Sequence, residues 1–164
     1  MKSLLIAKHW QLFLTVVVPI FFLEAISHSY YGVNNLFIFK ILRFILSFGI
    51  EASWMWVLCS HLIIKQESSL KIASFKFSLL LVVFYVPLQL ILIEYFPEFR
   101  LWVLLPNTIV FLAFLYSIAF CAKLLRTIEL GQEAGIGEYL IDFFRILFFP
   151  FGIWFLQKRV NSFA

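Results

Sequence analysis

Apolar residues in this chain do not alternate with polar ones. They run in four long blocks, Trp10 to Ile26, Phe44 to Ile64, Phe77 to Phe96 and Leu101 to Leu125, joined by short charged links. A hydrocarbon core about 30 Å thick takes about 20 apolar residues per helical crossing. The pattern therefore predicts four transmembrane helices, over residues 10–26, 36–64, 77–96 and 101–130. The blocks are too long for barrel strands and lack their apolar/polar alternation. An all-α fold follows: a polytopic transmembrane helical bundle, with residues 1–164 making a single domain.

Beyond the fourth block the pattern changes. Gly131, Gly135 and Gly137 interrupt the helical periodicity, and a shorter apolar stretch follows over residues 137–156. Glu138, Asp142 and Arg145 recur there as a polar stripe, with Tyr139, Leu140, Phe143, Ile146 and Leu147 covering the opposite side. The run from Ile146 to Leu156 is too short to span, and Pro150 with Gly152 should break a straight helix inside it. This segment is expected to be a C-terminal interfacial or re-entrant amphipathic helix, anchored at anionic head groups by Lys158 and Arg159.

Composition agrees with the pattern. Hydrophobic residues make 63% of the chain and charged ones 13%, against roughly 45–50% and about 25% in soluble domains, too little polarity for a water-facing surface. The net charge of +4 reads as topology and does not point to nucleic acid, because the basic residues lie between the blocks. Lys2, Lys8, Lys65, Lys71, Lys76, Lys123, Arg126, Arg145, Lys158 and Arg159 fall on one side, against Arg100 in the loops of the other, with Lys40 and Arg43 at the entrance to the second helix. Basic loops stay cytoplasmic, so a multi-pass topology is expected with N- and C-termini cytoplasmic and Gly32 and Pro97 outside. The first block could instead be a cleaved signal peptide ending near Ala25-Ile26-Ser27; Pro19 and Glu24 argue against that. Cys59 and Cys121 read as small packing residues near cytoplasmic helix ends, where no disulfide is expected.

The sharpest candidate for chemistry is Glu51, seven residues into the second block, where an unpaired carboxylate costs about 2.5 kcal/mol or more. Helical spacing puts Lys40, Arg43 or Phe44, Ser47, Glu51 and Trp54 on one stripe, so an intramembrane polar site of Glu51, Lys40 and Arg43 is predicted. It is either a proton- or substrate-binding carboxyl or a structural contact to another helix. A second group, Glu24, His28 and Glu94 with Glu98 and Arg100, gathers at the outer rim as interfacial ion pairs or as an external ligand-binding mouth. Pro19, Pro87 and Pro106 lie inside blocks as kinks or as ordinary membrane-helix prolines, and Asn107 and Thr108 beside Pro106 mark a break or inter-helix hydrogen bonds. His9 and His61 share a depth, but haem would need their rings to face each other across a cavity. No Cys-x-x-Cys, His-x-x-x-His, Gly-x-Ser-x-Gly or phosphate-loop pattern occurs, so no cofactor, no metal and no catalysis are expected.

The tail Gly137-Glu138-Tyr139-Leu140, Phe143-Phe144 and Phe148-Phe149-Pro150-Phe151-Gly152-Ile153-Trp154-Phe155 resembles that of small uncharacterised four-helix membrane proteins of Bacteroidota. The resemblance covers roughly the last thirty residues and departs at Phe151 and Lys158, where Ile and Pro would be expected. It implies a bacterial inner membrane and no site residue. The function expected is that of an integral inner-membrane protein without catalytic activity, an accessory or interaction subunit or a hydrophobic-ligand or lipid binder. The alternative is a small carrier or proton-coupled permeation protein using Glu51. The expected partners are the lipid bilayer and other membrane subunits or a second copy of the chain, with no nucleic acid.

Overall fold

A computed structural model describes residues 8–29, 37–65, 72–100 and 102–162. Among these the chain is all-α, with helices α1 (His9–Ser29), α2 (Phe37–Phe44), α3 (Ile50–Lys65), α4 (Ile72–Tyr95), α5 (Leu104–Leu130), α6 (Ile136–Leu147) and α7 (Phe149–Asn161), and no strand. A π-helical turn, Ile45–Gly49, joins α2 to α3, and a 3-10 turn, Pro97–Arg100, leads towards α5. The link holding Gly32 lies outside the described residues.

Among the described residues two helices are long and apolar enough to cross a membrane, α4 with a mean hydropathy of 2.2 and α5 with 2.1. Shorter apolar helices cover Trp10–Ile26 and Ile50–Ile63. The expected second helix is divided, because the π turn separates the charged stretch of α2 from the apolar stretch of α3. The expected third helix begins earlier than its apolar block, at Ile72. Phe75 carries the core face of α4 back to that point, in line with Leu79 and Val82 at helical spacing, while the Ser78 hydroxyl bonds the Ser74 carbonyl at 2.8 Å.

Pro106 does not break the fourth helix. It is the third residue of α5, where its missing N–H would have no intrahelical partner in any case. Thr108 donates to the Leu104 carbonyl of its own helix at 3.1 Å. At the other end Gly131 stops α5 with φ 68°, the left-handed conformation that a side chain resists. The Thr127 hydroxyl accepts from Ala134 N at 3.1 Å, and Glu138 caps α6 by accepting from Gly135 N at 2.6 Å.

The C-terminal segment, expected over 137–156 as an interfacial or re-entrant amphipathic helix broken near Pro150 and Gly152, is a hairpin of two helices. The chain turns at Phe148, which ends α6 and opens α7, and Pro150 occupies the first turn of α7, where proline fits. Gly152 packs against the Arg145 carbonyl so closely that a Cβ would sit 1.7 Å from its oxygen. The polar stripe divides: Asp142 is buried, Arg145 is half-buried and Glu138 is exposed, as are Leu140, Ile141 and Phe144.

Helix α3 lies at the centre. Trp54, Met55, Leu58 and Cys59 are fully buried, joined in one core by Leu12 and Val16 of α1, Phe75 of α4, Ile118, Cys121 and Leu125 of α5 and Phe149, Ile153, Leu156 and Val160 of α7. Contacts give the helix directions. Phe48 meets Phe114 with ring centroids 4.9 Å apart, and further along both helices the Cys59 and Cys121 sulfurs are 3.0 Å apart, so α3 and α5 run the same way. The Phe75 and Phe120 rings stack at 5.0 Å between the start of α4 and the later part of α5, so α4 runs against α5.

Candidate functional site

Two features meet on α3: a buried carboxyl on its inward side and an apolar groove on its outward side. The π turn prepares both. Its hydrogen bonds close from residue i to i+5, so it consumes one more residue per ring than an α-helix. Residues before and after it therefore leave the α-helical phase on which the Lys40, Arg43, Ser47 and Glu51 stripe rests.

Glu51 follows the π turn by one residue of α3 and is only 8% exposed. Its Oε1 has no hydrogen-bond partner among the described residues. Trp54, Met55 and Leu58, spaced three, four and seven residues on, line the same side of the helix and are fully buried. The Phe48–Phe114 and Met55–Cys121 contacts share one register, which levels Glu51 with Ser117 of α5. That hydroxyl already donates to the Ala113 carbonyl at 2.9 Å.

The other candidates fall elsewhere. Arg43, at the end of α2, pairs with Glu24 of α1 at 2.5 Å, joining one residue of the expected intramembrane site to one of the expected rim. Glu94 is exposed in the last turn of α4. Lys40 and His28 lie on α2 and α1, and their side chains are outside what is described. Among the described residues no group of three or more His, Cys, Asp or Glu could hold a metal ion.

The groove lies between α3 and α4. Gly49, Ala52, Ser53, Trp56 and Val57 form one wall and Leu79, Leu80 and Val83 the other, enclosing about 400 Å³. Glu51 does not line it. One turn beyond Leu79 and Leu80, Lys76 holds its Nζ 5.3 Å from the centroid of the Trp56 ring, a cation–π contact at the groove's end. Sequence reasoning passed over this pairing, because Lys76 reads as a link residue until α4 is seen to begin before it.

A second arrangement missed in the sequence joins α5, α6 and α7. Arg159 donates to Asp142 at 2.6 and 2.9 Å and to Glu129 at 2.6 Å from Nε, with a further bond from Nη2. Arg145 adds a 3.0 Å bond to Asp142 and Arg126 a 2.9 Å bond to Glu129. Burial opposes the Arg159 charge, but the hydrogen bonds to Asp142 and Glu129 and their charges outweigh it and hold its pKa above the usual guanidinium value. Beside this cluster Gln157, fully buried, accepts from Trp54 Nε1 at 2.9 Å and donates to Asn161 at 2.8 Å. The sequence placed Asp142 and Arg145 on one stripe; the Arg126–Glu129 pair and the junction through Arg159, 30 residues from Glu129, were not read there. Neither arrangement sets a nucleophile beside a base. Comparison of the chain with known protein families, with curated proteins and with solved structures finds no match.

Proposed function

We propose that this chain is a four-crossing integral membrane protein of the inner membrane that binds a hydrophobic ligand, the acyl chain of a membrane lipid, and works by binding without catalysis. The groove between α3 and α4 carries this reading. Its volume of about 400 Å³ lies within the range of ligand sites, roughly 300–1,000 Å³, and its walls are apolar apart from Ser53. Only 11% of the membrane-length window of α4 is buried, so the groove opens at the flank of the bundle, where lipid would be its neighbour.

Four crossings are supported by the way the short helices join. Helix α2, the π turn and α3 follow without a gap from Phe37 to Lys65, and α1, with 21 residues, reaches about 31 Å. The directions of α3, α4 and α5 alternate as successive crossings require. The basic links then favour cytoplasmic termini. Phe149 and Gln157 both reach Trp54, which lies about 16 Å along α3 from Lys65. That depth favours a re-entrant α6–α7 hairpin over a surface helix.

Native mass spectrometry of the full-length chain in neutral detergent tests the groove. Co-purified phospholipid is expected, and Ser53→Trp and Gly49→Leu, which fill the groove, should remove it. The first site is exposed, and a Cβ on Gly49 meets nothing nearer than Ile45 Cγ2 at 3.8 Å. Undiminished lipid in both variants would defeat the reading.

A second reading, a small proton-coupled carrier, is favoured by one observation: the buried Glu51 Oε1 has no partner among the described residues and lies next to a π turn. Uptake into proteoliposomes whose pH profile vanishes in Glu51→Gln would support it. An unchanged profile would remove it.

A further inference from the structure

We infer that the groove selects lipids with an anionic head group, and that Lys76, positioned by Trp56, is the selecting residue. This rests on the acyl-chain reading and adds the head group to it. The groove is amphipathic along its length. Its far end, at Gly49 and Val83, is apolar, and its near end carries the ammonium of Lys76 over the Trp56 ring. No acidic residue lines the groove, and Lys76 has no carboxylate partner among the described residues.

The geometry suits a phosphate. An ammonium has three donors, and a ring face engages the cation electrostatically from one side, leaving donors for an oxygen on the other. From Lys76 to Val83 the groove rises about 10 Å along α4, so a chain entering at Lys76 would run towards Gly49 with its head group left at the lysine. A zwitterionic lipid brings its own cation to the same place, where Lys76 repels it. One lysine near a membrane surface is worth about fivefold in affinity for an anionic lipid.

Binding of dioleoyl phosphatidylglycerol and dioleoyl phosphatidylcholine to the delipidated full-length chain in neutral detergent, measured by native mass spectrometry, tests this. Wild type should bind phosphatidylglycerol about fivefold more tightly. Lys76→Gln should equalise the two lipids, and Lys76→Arg, which restores the charge, should recover the preference. Ser53→Trp should abolish binding of both. Equal affinities in wild type, a preference for phosphatidylcholine, or a preference that survives Lys76→Gln would overturn the head-group inference while leaving the groove in place. Binding of both lipids undiminished in Ser53→Trp would overturn the groove itself.

Discussion

Arg159 grips Asp142 with two guanidinium bonds of 2.6 and 2.9 Å across the α6–α7 hairpin, and the same guanidinium reaches Glu129 on α5. Asp142 is almost fully buried, so removing its partner would leave a carboxylate in a poorly solvated site with Arg145 alone. Arg159→Met should therefore destabilise the folded chain by about 3 kcal/mol, and Arg159→Lys should recover only part, since an ammonium cannot repeat the forked geometry. Denaturant titration in detergent measures both. A loss below about 0.5 kcal/mol in Arg159→Met, the range of an exposed pair, would mean that the cluster does not hold the hairpin.

Glycine separates the two sides of the same hairpin. Gly152 leaves no room for a methyl group against the Arg145 carbonyl, whereas a Cβ on Gly137 meets nothing within 4 Å. Gly152→Ala should cost about 3 kcal/mol or more by forcing α6 and α7 apart. Gly137→Ala, within a helix and unobstructed, should be neutral or stabilise by about 0.5–1 kcal/mol. Equal effects in unfolding titrations would show that the hairpin is not packed as described.

The fold was legible where one block of sequence makes one element. The long apolar helices α4 and α5, the stop at Gly131 and the break around Pro150 follow from apolar length and from residues with fixed backbone habits. The division of the second helix was not legible: a π turn depends on packing against neighbours, here Phe48 on Phe114, and Ile45 to Gly49 carries no local mark of it. The inward turn of Asp142 was hidden for a related reason. A polar stripe read alone is expected to face out, whereas here Asp142 meets Arg145 and Arg159 inside the hairpin and Leu140, Ile141 and Phe144 are left exposed. Glu51 stood out in the sequence because a carboxyl in an apolar block is conspicuous whatever surrounds it. The groove beside it is built from ordinary membrane residues and became visible only when two helices were placed together.

Cys59 and Cys121 offer a proximity test of the α3–α5 contact. Their sulfurs are 3.0 Å apart and both residues are fully buried. Bulky impermeant thiol reagents should leave both unmodified in the folded chain. A small membrane-permeant oxidant should convert them to an intramolecular disulfide, seen as the loss of two hydrogens by mass, and Cys121→Ser should abolish it. Rapid alkylation of either thiol before unfolding would show that α3 and α5 are not packed there.

The α5–α6 link should respond to pH through Glu133. Lys123 donates to it at 2.5 Å, and that bond together with the lysine charge holds the Glu133 carboxyl below its ordinary value of 4.5. A depressed acid stabilises the paired state above its unfolded value and loses that contribution as pH falls through the folded one. The pair should thus be complete at neutral pH and open only below about 4.5. Carboxyl NMR titration should place the Glu133 midpoint under 4.5, with Lys123→Gln raising it. A midpoint at or above that value in wild type would remove the pair.

Glu51 should be a liability to stability. A buried carboxyl with one oxygen unpartnered forgoes hydrogen bonds that it would make in water, at about 1–3 kcal/mol. Its neighbours Met55 and Leu58 are apolar, so a leucine of similar size would meet compatible surroundings. Glu51→Leu should therefore raise stability by about 1–3 kcal/mol in denaturant titration. Glu51→Gln, which keeps polar atoms in the same place, should change it little. A substantial loss in Glu51→Leu would mean that the carboxyl has a stabilising partner in the bilayer, another subunit or a second copy of the chain. The gain expected here would instead mark Glu51 as a group that the bundle carries at a cost, which is the condition under which the carrier reading should be pursued.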